Sequence, residues 1–213
     1  MKQDIILAGV GGQGILTIAF MLDSAALARG YRIKQAEVHG MAQRGGAVYS
    51  HLRFADSEIL SDLIPAGQAD MILSVEPLEV QRYLPYLHRN AVVVSSVHPF
   101  KNIPDYPEEK AVLDALLELP RAVLVDARQI ATAHKMPRAE NMAMLGAALP
   151  FLPFELADFD PFIRAQFERK GEAVVQSNMA VLAQGFRTGM AVKERLDAGM
   201  PADVAFRETH PNP

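Results

Sequence analysis

The sequence contains no cysteine among its 213 residues. Disulfide bonds are therefore excluded, and so are iron–sulfur clusters held by thiolates of this chain. A basic excess is also missing, because the formal net charge is −4 at pH 7 and the isoelectric point is about 5.9. Proteins that bind nucleic acids usually carry a strongly basic surface, so no nucleic-acid partner is expected.

Long apolar runs are absent as well. No stretch approaches the roughly 18 uninterrupted apolar residues of a bilayer-spanning helix. The first residues enter a strand pattern almost at once, without the longer apolar segment and small-residue cleavage site of a signal peptide. We therefore expect a soluble, cytoplasmic protein with no membrane partner. The motifs H-E-x-x-H and G-x-S-x-G are missing too, so neither a metal site nor a nucleophilic catalytic residue is expected.

The hydrophobic pattern predicts an α/β fold. Half of the residues are hydrophobic and 22% are charged, which allows a sizeable core. Short apolar segments alternate with amphipathic ones, and this order predicts a Rossmann-like, open, mostly parallel sheet with helices on both faces. The predicted strands cover residues 4–9, 31–38, 47–54, 69–75, 91–96 and 121–127, and the predicted helices between them cover 13–29, 76–87 and 108–119.

The C-terminal part has a different composition. From about residue 138 onward the sequence becomes helix-rich, with prolines as breaks between the helical segments. We expect a single α/β domain over residues 1–200, followed by a C-terminal tail over residues 201–213.

The segment GVGGQG at residues 9–14 lies between the first predicted strand and the first predicted helix. In this context G-x-G-x-x-G is typical of dinucleotide-binding turns, where backbone N–H groups approach a phosphate at the helix N-terminus. Glu37 lies near the end of the second strand, where a ribose-binding acid would be expected. The same turn can also serve only to pack a helix on a sheet. Gln13 is unusual there, since its amide could meet a ligand or a partner chain.

A second glycine-rich segment, HGMAQRGG at residues 39–46, follows the second predicted strand. Arg44 places a permanent cation beside a glycine pair, which suits a phosphate or a carboxylate. Arg44 can equally pair with Glu37, and His39 can serve only to hydrogen-bond the loop. Because loops at the carboxyl ends of strands one and two share an edge of the sheet, we expect the two glycine segments to be neighbours.

Together, the stretches GVGGQGILTIAFMLDSAALARGY and EVHGMAQRGGAVYSHLRF resemble the gamma-type domain of the 2-oxoacid:acceptor (ferredoxin) oxidoreductases. The segment EVHGMAQRGG is most similar to the beta subunit of the indolepyruvate ferredoxin oxidoreductases. Residues 141–152 and 167–186 are similar to the closing helices of this family. The resemblance extends over most of residues 4–190, and the combination is more specific than either glycine motif alone.

The resemblance implies a subunit of an enzyme that oxidatively decarboxylates a 2-oxo acid to an acyl-CoA and passes the electrons to ferredoxin. Thiamine diphosphate and the iron–sulfur clusters would belong to a larger partner subunit, and ferredoxin would interact only indirectly. This chain would hold no cofactor firmly, carry no catalytic residue, be inactive alone, and help to bind CoA at the subunit interface. The residues expected to contact CoA or the partner are Gly9, Gly11, Gly12, Gln13, Gly14, His39, Gln43, Arg44, Gly45 and Gly46.

Two other function classes stay open. A stand-alone NAD(P)- or flavin-binding oxidoreductase would bind its nucleotide tightly and turn over by itself. A purely structural assembly subunit would bury both glycine segments in protein contacts. An exposed apolar docking face would also allow the isolated chain to form a homodimer.

Overall fold

The fold is seen in a computed structural model, which describes residues 1–39, 45–101 and 103–210. Within these ranges the chain forms a six-stranded sheet. Its strands are β1 Lys2–Val10, β2 Arg32–His39, β3 Ala47–Ala55, β4 Ala69–Ser74, β5 Leu87–Ser96 and β6 Ala122–Val125. Their order across the sheet is β2-β3-β1-β4-β5-β6.

Most of the sheet is parallel, as the sequence predicts. Strand β4 runs parallel to β1, with Ile5 opposite Met71, and β5 and β6 continue in the same direction. Strand β3 is the exception, because it is antiparallel to both β1 and β2, with Val10 opposite Ala47. The short connection over residues 40–46 explains this direction, since a parallel crossover needs a dozen or more residues and a hairpin does not.

Helices cover both faces of the sheet, as expected. They are α1 Ile15–Ala28, α2 Pro77–Tyr83, α3 Glu109–Leu117, α4 Ala127–Ala133, α5 Glu140–Ala148, α6 Asp160–Phe167, α7 Glu172–Asp197 and α8 Ala202–Thr209. Ile5 and Leu7 of β1 join the core formed with α1, α5 and α7, whereas Ile6 and Ala8 join the core formed with α2 and α3. In the described ranges, no helix is long and apolar enough to cross a membrane.

Helix α5 is enclosed between the sheet and helix α7. Its residues from Asn141 to Ala148 are all buried, so it forms one of the most apolar parts of the core. Glycines allow the two helices to meet at their backbones. A Cβ atom added to Gly185 would lie 2.1 Å from the carbonyl oxygen of Ala143, and one added to Gly146 would lie 2.1 Å from that of Leu182.

The structure differs from the expected tail at the C-terminus. Residues 202–209 form α8, which packs against α7 and β6. Ala202 and Ala205 are buried, and Phe206 contacts the core on the α2 side of the sheet. The helix forms because these three residues share one helical face, which packs on the core. The extent of the domain, over residues 1–200, stays a prediction.

The close contact between α5 and α7 predicts that replacing a glycine of α7 by alanine lowers the stability of the protein. Alanine in place of glycine in a helix interior ordinarily stabilises by about 1 kcal/mol. We expect Gly185→Ala instead to lower the free energy of unfolding by about 1–3 kcal/mol, because the new Cβ atom would force the helices apart. Urea denaturation measures this change. Arg187→Ala, at an exposed position of the same helix, should change stability by no more than about 0.5 kcal/mol. Equal stability of the two variants would contradict the close contact.

Candidate functional site

The first glycine segment forms a tight turn between β1 and α1. Gly14 is the N-cap of α1 and has a φ of 82°, which is in the left-handed region that favours glycine. A Cβ atom at Gly14 would also lie 2.6 Å from Nδ2 of Asn141. Gly9 is equally restricted by a close approach, since its Cβ atom would lie 2.5 Å from the side chain of Val75. The start of α1 therefore lies against α5, and the end of β1 lies against the residue that follows β4.

Gln13 stabilises this turn from within. Its Oε1 accepts a hydrogen bond of 2.8 Å from the backbone N–H of Val10, and its Nε2 donates one of 3.3 Å to the carbonyl oxygen of Val75. The amide thus joins the end of β1 to the residue that follows β4. The sequence leaves open whether Gln13 meets a ligand or a partner, and the structure adds this internal role.

Gly45 and Gly46, the end of the second glycine segment, lie beside the first segment at one edge of the sheet. The N–H of Gly11 donates to the carbonyl oxygen of Gly46 at 2.8 Å, and the N–H of Gly45 donates to that of Gly11 at 3.4 Å. These contacts follow from the hairpin, because β3 begins beside the end of β1. The backbone of His39 lies in β2 opposite Val48.

Two of the predicted site residues, Gln43 and Arg44, lie outside the described residues, as does the side chain of His39. Their roles stay predictions.

A cleft of about 700 Å³ opens at the carboxyl ends of the parallel strands. This is the edge where open α/β sheets usually bind ligands. Three residues of the glycine turn line the cleft, namely Gly12, Gln13 and Gly14. Its other walls come from the segments after β4 and β5, the start of α4, the segment that leads into α5, and the start of α7. The remaining lining residues are Thr17, Val75, His98, Pro99, Phe100, Arg128, Met136, Pro137, Arg138, Ala139, Glu140, Asn141, Phe167, Lys170, Val174 and Asn178.

Positive charge predominates among these residues. Among the described residues that line the cleft, Arg128, Arg138 and Lys170 are cationic, and Glu140 is the one carboxylate. The Nε atom of Arg128 lies 3.5 Å from Oε1 of Glu140, an exposed pair of the kind that contributes little to stability. The ammonium group of Lys170 lies over the ring of Phe167, 5.5 Å from its centre. The cleft is therefore suited to an anionic ligand with an apolar part.

His98, which lines the cleft, is paired with an aspartate that does not line it. His98 Nε2 lies 2.8 Å from Oδ1 of Asp126. The same carboxylate caps α4 by accepting a hydrogen bond from the N–H of Gln129 at 2.7 Å. The hydrogen bond to His98 lowers the pKa of Asp126. Within the described part of the chain, no group of three or more His, Asp and Glu side chains is arranged to hold a metal ion.

Glu37 does not lie where a ribose-binding acid would be needed. Strand β3 is inserted between β1 and β2, so Glu37 is two strand spacings, about 10 Å, from the strand that carries the glycine turn. It is not among the described residues that line the cleft. Its Oε1 accepts a hydrogen bond of 2.7 Å from Nε2 of Gln35. This arrangement disfavours the dinucleotide interpretation of GVGGQG.

Asp23 of helix α1 is the acidic neighbour of Glu37. Burial of the Asp23 side chain, together with the negative charge of Glu37, raises the pKa of Asp23 to about 7. No donor among the described residues reaches its Oδ1 atom, which is inaccessible to solvent. A half-buried carboxyl group beside a second carboxylate is costly when ionised, so it retains its proton to an unusually high pH.

Only some of the residues that line the cleft are indicated by a sequence pattern. The glycine turn is identified by its spacing, but the cations come from three separate segments that carry no motif of their own. Asn141 lies in a stretch that resembles the family's closing helices, although nothing in that pattern indicates its contact with Gly14. His98 lacks any partner pattern in the sequence, because Asp126 is far along the chain and meets it only across two neighbouring parallel strands.

Comparison with known proteins identifies the family to which this chain belongs. The chain matches the family described as pyruvate ferredoxin/flavodoxin oxidoreductase over residues 4–188. It is similar to the indolepyruvate oxidoreductase subunit IorB of Archaeoglobus fulgidus, with 33% identity over 202 residues. That alignment covers 90% of this chain and 97% of the relative.

Solved structures share the fold. A keto/oxoacid ferredoxin oxidoreductase gamma subunit from Geobacter sulfurreducens has a TM-score of 0.65 at 19% identity, covering 90% of this chain and 98% of that one. A 2-oxoglutarate:ferredoxin oxidoreductase from Magnetococcus marinus, solved with 2-oxoglutarate, coenzyme A and succinyl-CoA bound, has a TM-score of 0.72 at 18% identity. The match covers 89% of this chain but 31% of that longer chain.

The raised pKa of Asp23 predicts a pH-dependent stability. The folded state holds this proton up to about pH 7, whereas the ordinary pKa of an aspartate, which applies to the unfolded chain, is 3.8. The free energy of unfolding should therefore fall as the pH rises between these values. We expect Asp23→Asn to be nearly neutral at pH 4 and to stabilise by about 1–2 kcal/mol at pH 8, a size limited by solvent screening of the carboxyl group.

Thermal or urea denaturation of both proteins across this pH range measures the effect. Ser24→Ala, at the next position of the same helix, is the matched control and should leave the pH dependence unchanged. A difference between Asp23→Asn and the original chain that does not vary with pH would show that Asp23 does not titrate in this range.

Proposed function

Because the chain belongs to the pyruvate ferredoxin/flavodoxin oxidoreductase family, we propose that it is the non-thiamine, non-cluster subunit of an indolepyruvate or aryl pyruvate ferredoxin oxidoreductase. Family membership confirms the resemblance carried by the two glycine segments. It also makes the chain part of an oxidoreductase complex that acts on 2-oxo acids. The indolepyruvate assignment follows the names of its relatives, among them IorB of Archaeoglobus fulgidus.

In the proposed complex the chemical work is divided between subunits. The larger partner holds thiamine diphosphate and the iron–sulfur clusters, removes CO₂ from the 2-oxo acid and passes two electrons toward ferredoxin, and the acyl group leaves on the sulfur of CoA. This division agrees with a chain that contains no cysteine to bind a cluster. The small subunit docks on the partner in the cytoplasm and helps to bind CoA.

The main support for CoA binding by this chain is the cleft and the cationic side chains that line it. CoA combines phosphate groups with a long, largely apolar pantetheine arm. Arg128, Arg138 and Lys170 can supply charge to phosphates, while Phe100 and Val174 offer apolar surface beside them. The cleft volume of about 700 Å³ lies in the range of ligand sites. The N-terminus of α1 adds the positive end of a helix dipole at the glycine turn.

Alternative functions make different demands on the site. A stand-alone NAD(P) or flavin enzyme needs an acid beside the glycine turn, and β3 keeps Glu37 away from it. A purely structural subunit binds no ligand, so it would not require a cleft lined by cationic side chains. Calorimetric titration of CoA into the assembled complex separates the two subunit roles, because only a CoA-binding subunit makes the affinity depend on cations of this chain.

Lys170 gives a sharp test of the CoA site. We expect Lys170→Ala to raise the KM for CoA about tenfold in the reconstituted complex with little change in kcat, because a charge-assisted contact to a phosphate is lost. Arg169→Ala is the matched control, since Arg169 is also exposed and adjacent but is not among the described residues that line the cleft. It should alter the KM by no more than about twofold. Equal effects of the two variants would place CoA elsewhere.

Arg44 is tested in the same complex. We expect Arg44→Ala to lower the activity or to raise the CoA concentration needed for half-maximal rate, by an amount typical of one charge-assisted contact, about 1.5–3 kcal/mol. Steady-state kinetics with varied CoA measures the effect, and size-exclusion chromatography reports assembly. Unchanged activity together with unchanged assembly would remove Arg44 from the site.

A further inference from the structure

A buried carboxylate holds the segment that forms one wall of the cleft. Glu76 follows β4 and is only 1% exposed. Its Oε2 accepts a hydrogen bond of 2.9 Å from the N–H of Glu79 and thereby caps α2. Its Oε1 accepts two more from the segment between β5 and α3, one of 3.2 Å from the N–H of Phe100 and one of 2.6 Å from the hydroxyl of Tyr106. One carboxylate thus joins the end of β4, the start of α2 and the segment after β5.

The same network extends to the glycine turn. Ser74 donates from Oγ to the carbonyl oxygen of Glu76 at 2.6 Å, and the carbonyl oxygen of Val75 accepts the hydrogen bond from Gln13. The backbone on both sides of Val75 is therefore fixed. Gln13, Val75 and Phe100 all line the cleft. Hydrogen bonds and the short backbone between them thus link the glycine turn to Phe100.

The contact between Tyr106 and Glu76 is a strong tie for this segment. Hydrogen bonds to an ionised carboxylate are shorter and roughly twice as strong as those between neutral groups. Burial of the Tyr106 side chain and its hydrogen bond to Glu76 raise the pKa of the hydroxyl, so it keeps its proton and remains a donor near neutral pH. The segment is also tied by the ion pair of Lys101 and Glu109, but that pair is exposed and contributes little.

Phe100 shows what the tie presents to the cleft. Its side chain is 43% exposed, although its N–H is bonded to a buried carboxylate. Its backbone is thus held while its ring stays open to a ligand. An apolar wall that is ordered before binding costs less to use than one that must be ordered by the ligand. Phe100 is therefore suited to receive an apolar group at a fixed place.

We propose that Glu76 and Tyr106 are positioning residues of the cleft, which hold Phe100 as the wall that receives the apolar pantetheine arm of CoA. The proposal rests on the proposed function, which supplies the ligand. Glu76 and Tyr106 are not among the described residues that line the cleft, so they act through the backbone of Phe100. Loss of their contact lets the segment leave its place in part of the molecules. A ligand that needs the ordered segment then loses affinity in proportion to that part.

A clamp that serves only stability makes a different prediction. Its loss lowers the melting temperature and leaves the affinity for CoA unchanged, because the ligand then makes no use of Phe100. Glu76 is unsuitable for separating the two roles, since it is buried and also caps α2. Tyr106 is better suited, because Tyr106→Phe removes one oxygen atom from a half-buried side chain.

The test uses the full chain assembled with the larger subunit encoded in the same genome. Calorimetric titration with CoA measures the Kd, and steady-state kinetics measures kcat. Tyr106→Phe should raise the Kd about fivefold and leave kcat at saturating CoA unchanged, as expected if Phe100 keeps its place in about a fifth of the molecules. The matched control is Tyr86→Phe, which removes the same hydroxyl group from a half-buried tyrosine just before β5, at the other end of the strands from the cleft. It should bind CoA within about twofold of the original chain.

A double-mutant cycle tests whether Tyr106 acts through Phe100. Phe100→Ala should raise the Kd about tenfold, because the apolar contact itself is lost. The double variant Phe100→Ala/Tyr106→Phe should bind no more weakly than Phe100→Ala, since positioning a side chain that is absent has no effect. Circular dichroism and melting temperature verify that the variants fold like the original chain.

Each outcome has a defined meaning. If the chain forms no complex with the larger subunit, or if Lys170→Ala leaves the affinity for CoA unchanged, the proposed function fails and the positioning role fails with it. An affinity that falls in Lys170→Ala but not in Tyr106→Phe overturns the positioning role and leaves the proposed function intact. Equal effects of Tyr106→Phe and Tyr86→Phe overturn it as well. So does a double variant whose loss is the product of the two single losses, because Tyr106 would then act apart from Phe100.

Discussion

The enclosure of helix α5 is the constraint on which the glycine turn and the cleft both depend. Its backbone meets α7 at Gly146, Gly185 and Gly189, where no side chain can be accommodated. The same helix carries Asn141, whose Nδ2 donates a hydrogen bond of 3.3 Å to the carbonyl oxygen of Gly14. The position of α5 thus sets the distance from the glycine turn to the first turns of α7. Because the cleft lies between these elements, its width is determined by helix packing in the core.

The hairpin of β2 and β3 explains why a dinucleotide motif occurs here without the rest of a dinucleotide site. The turn retains the glycines and the helix N-terminus, which are the parts that suit an anionic group. Strand β3 takes the place beside β1 that a ribose-binding acid would need from β2, and Gly45 and Gly46, which directly precede β3, bond to Gly11. Glu37 is left beside Asp23, on a different part of the surface. The inserted strand β3 therefore separates Glu37 from the glycine turn, although a dinucleotide site would hold the two side by side.

The sequence predicts the elements of this fold better than their contacts. Each predicted strand and the three helices between them occur in the structure, because apolar periodicity reports local burial. The direction of β3 depends on the connection before it. Helix α8 has an apolar face of only three residues, which is too short to predict a helix from periodicity. Gly12, Gln13 and Gly14 line the cleft as one local motif, whereas Arg128 and Lys170 reach it from distant segments. Such contacts depend on the tertiary structure, and single-sequence patterns carry no information on them.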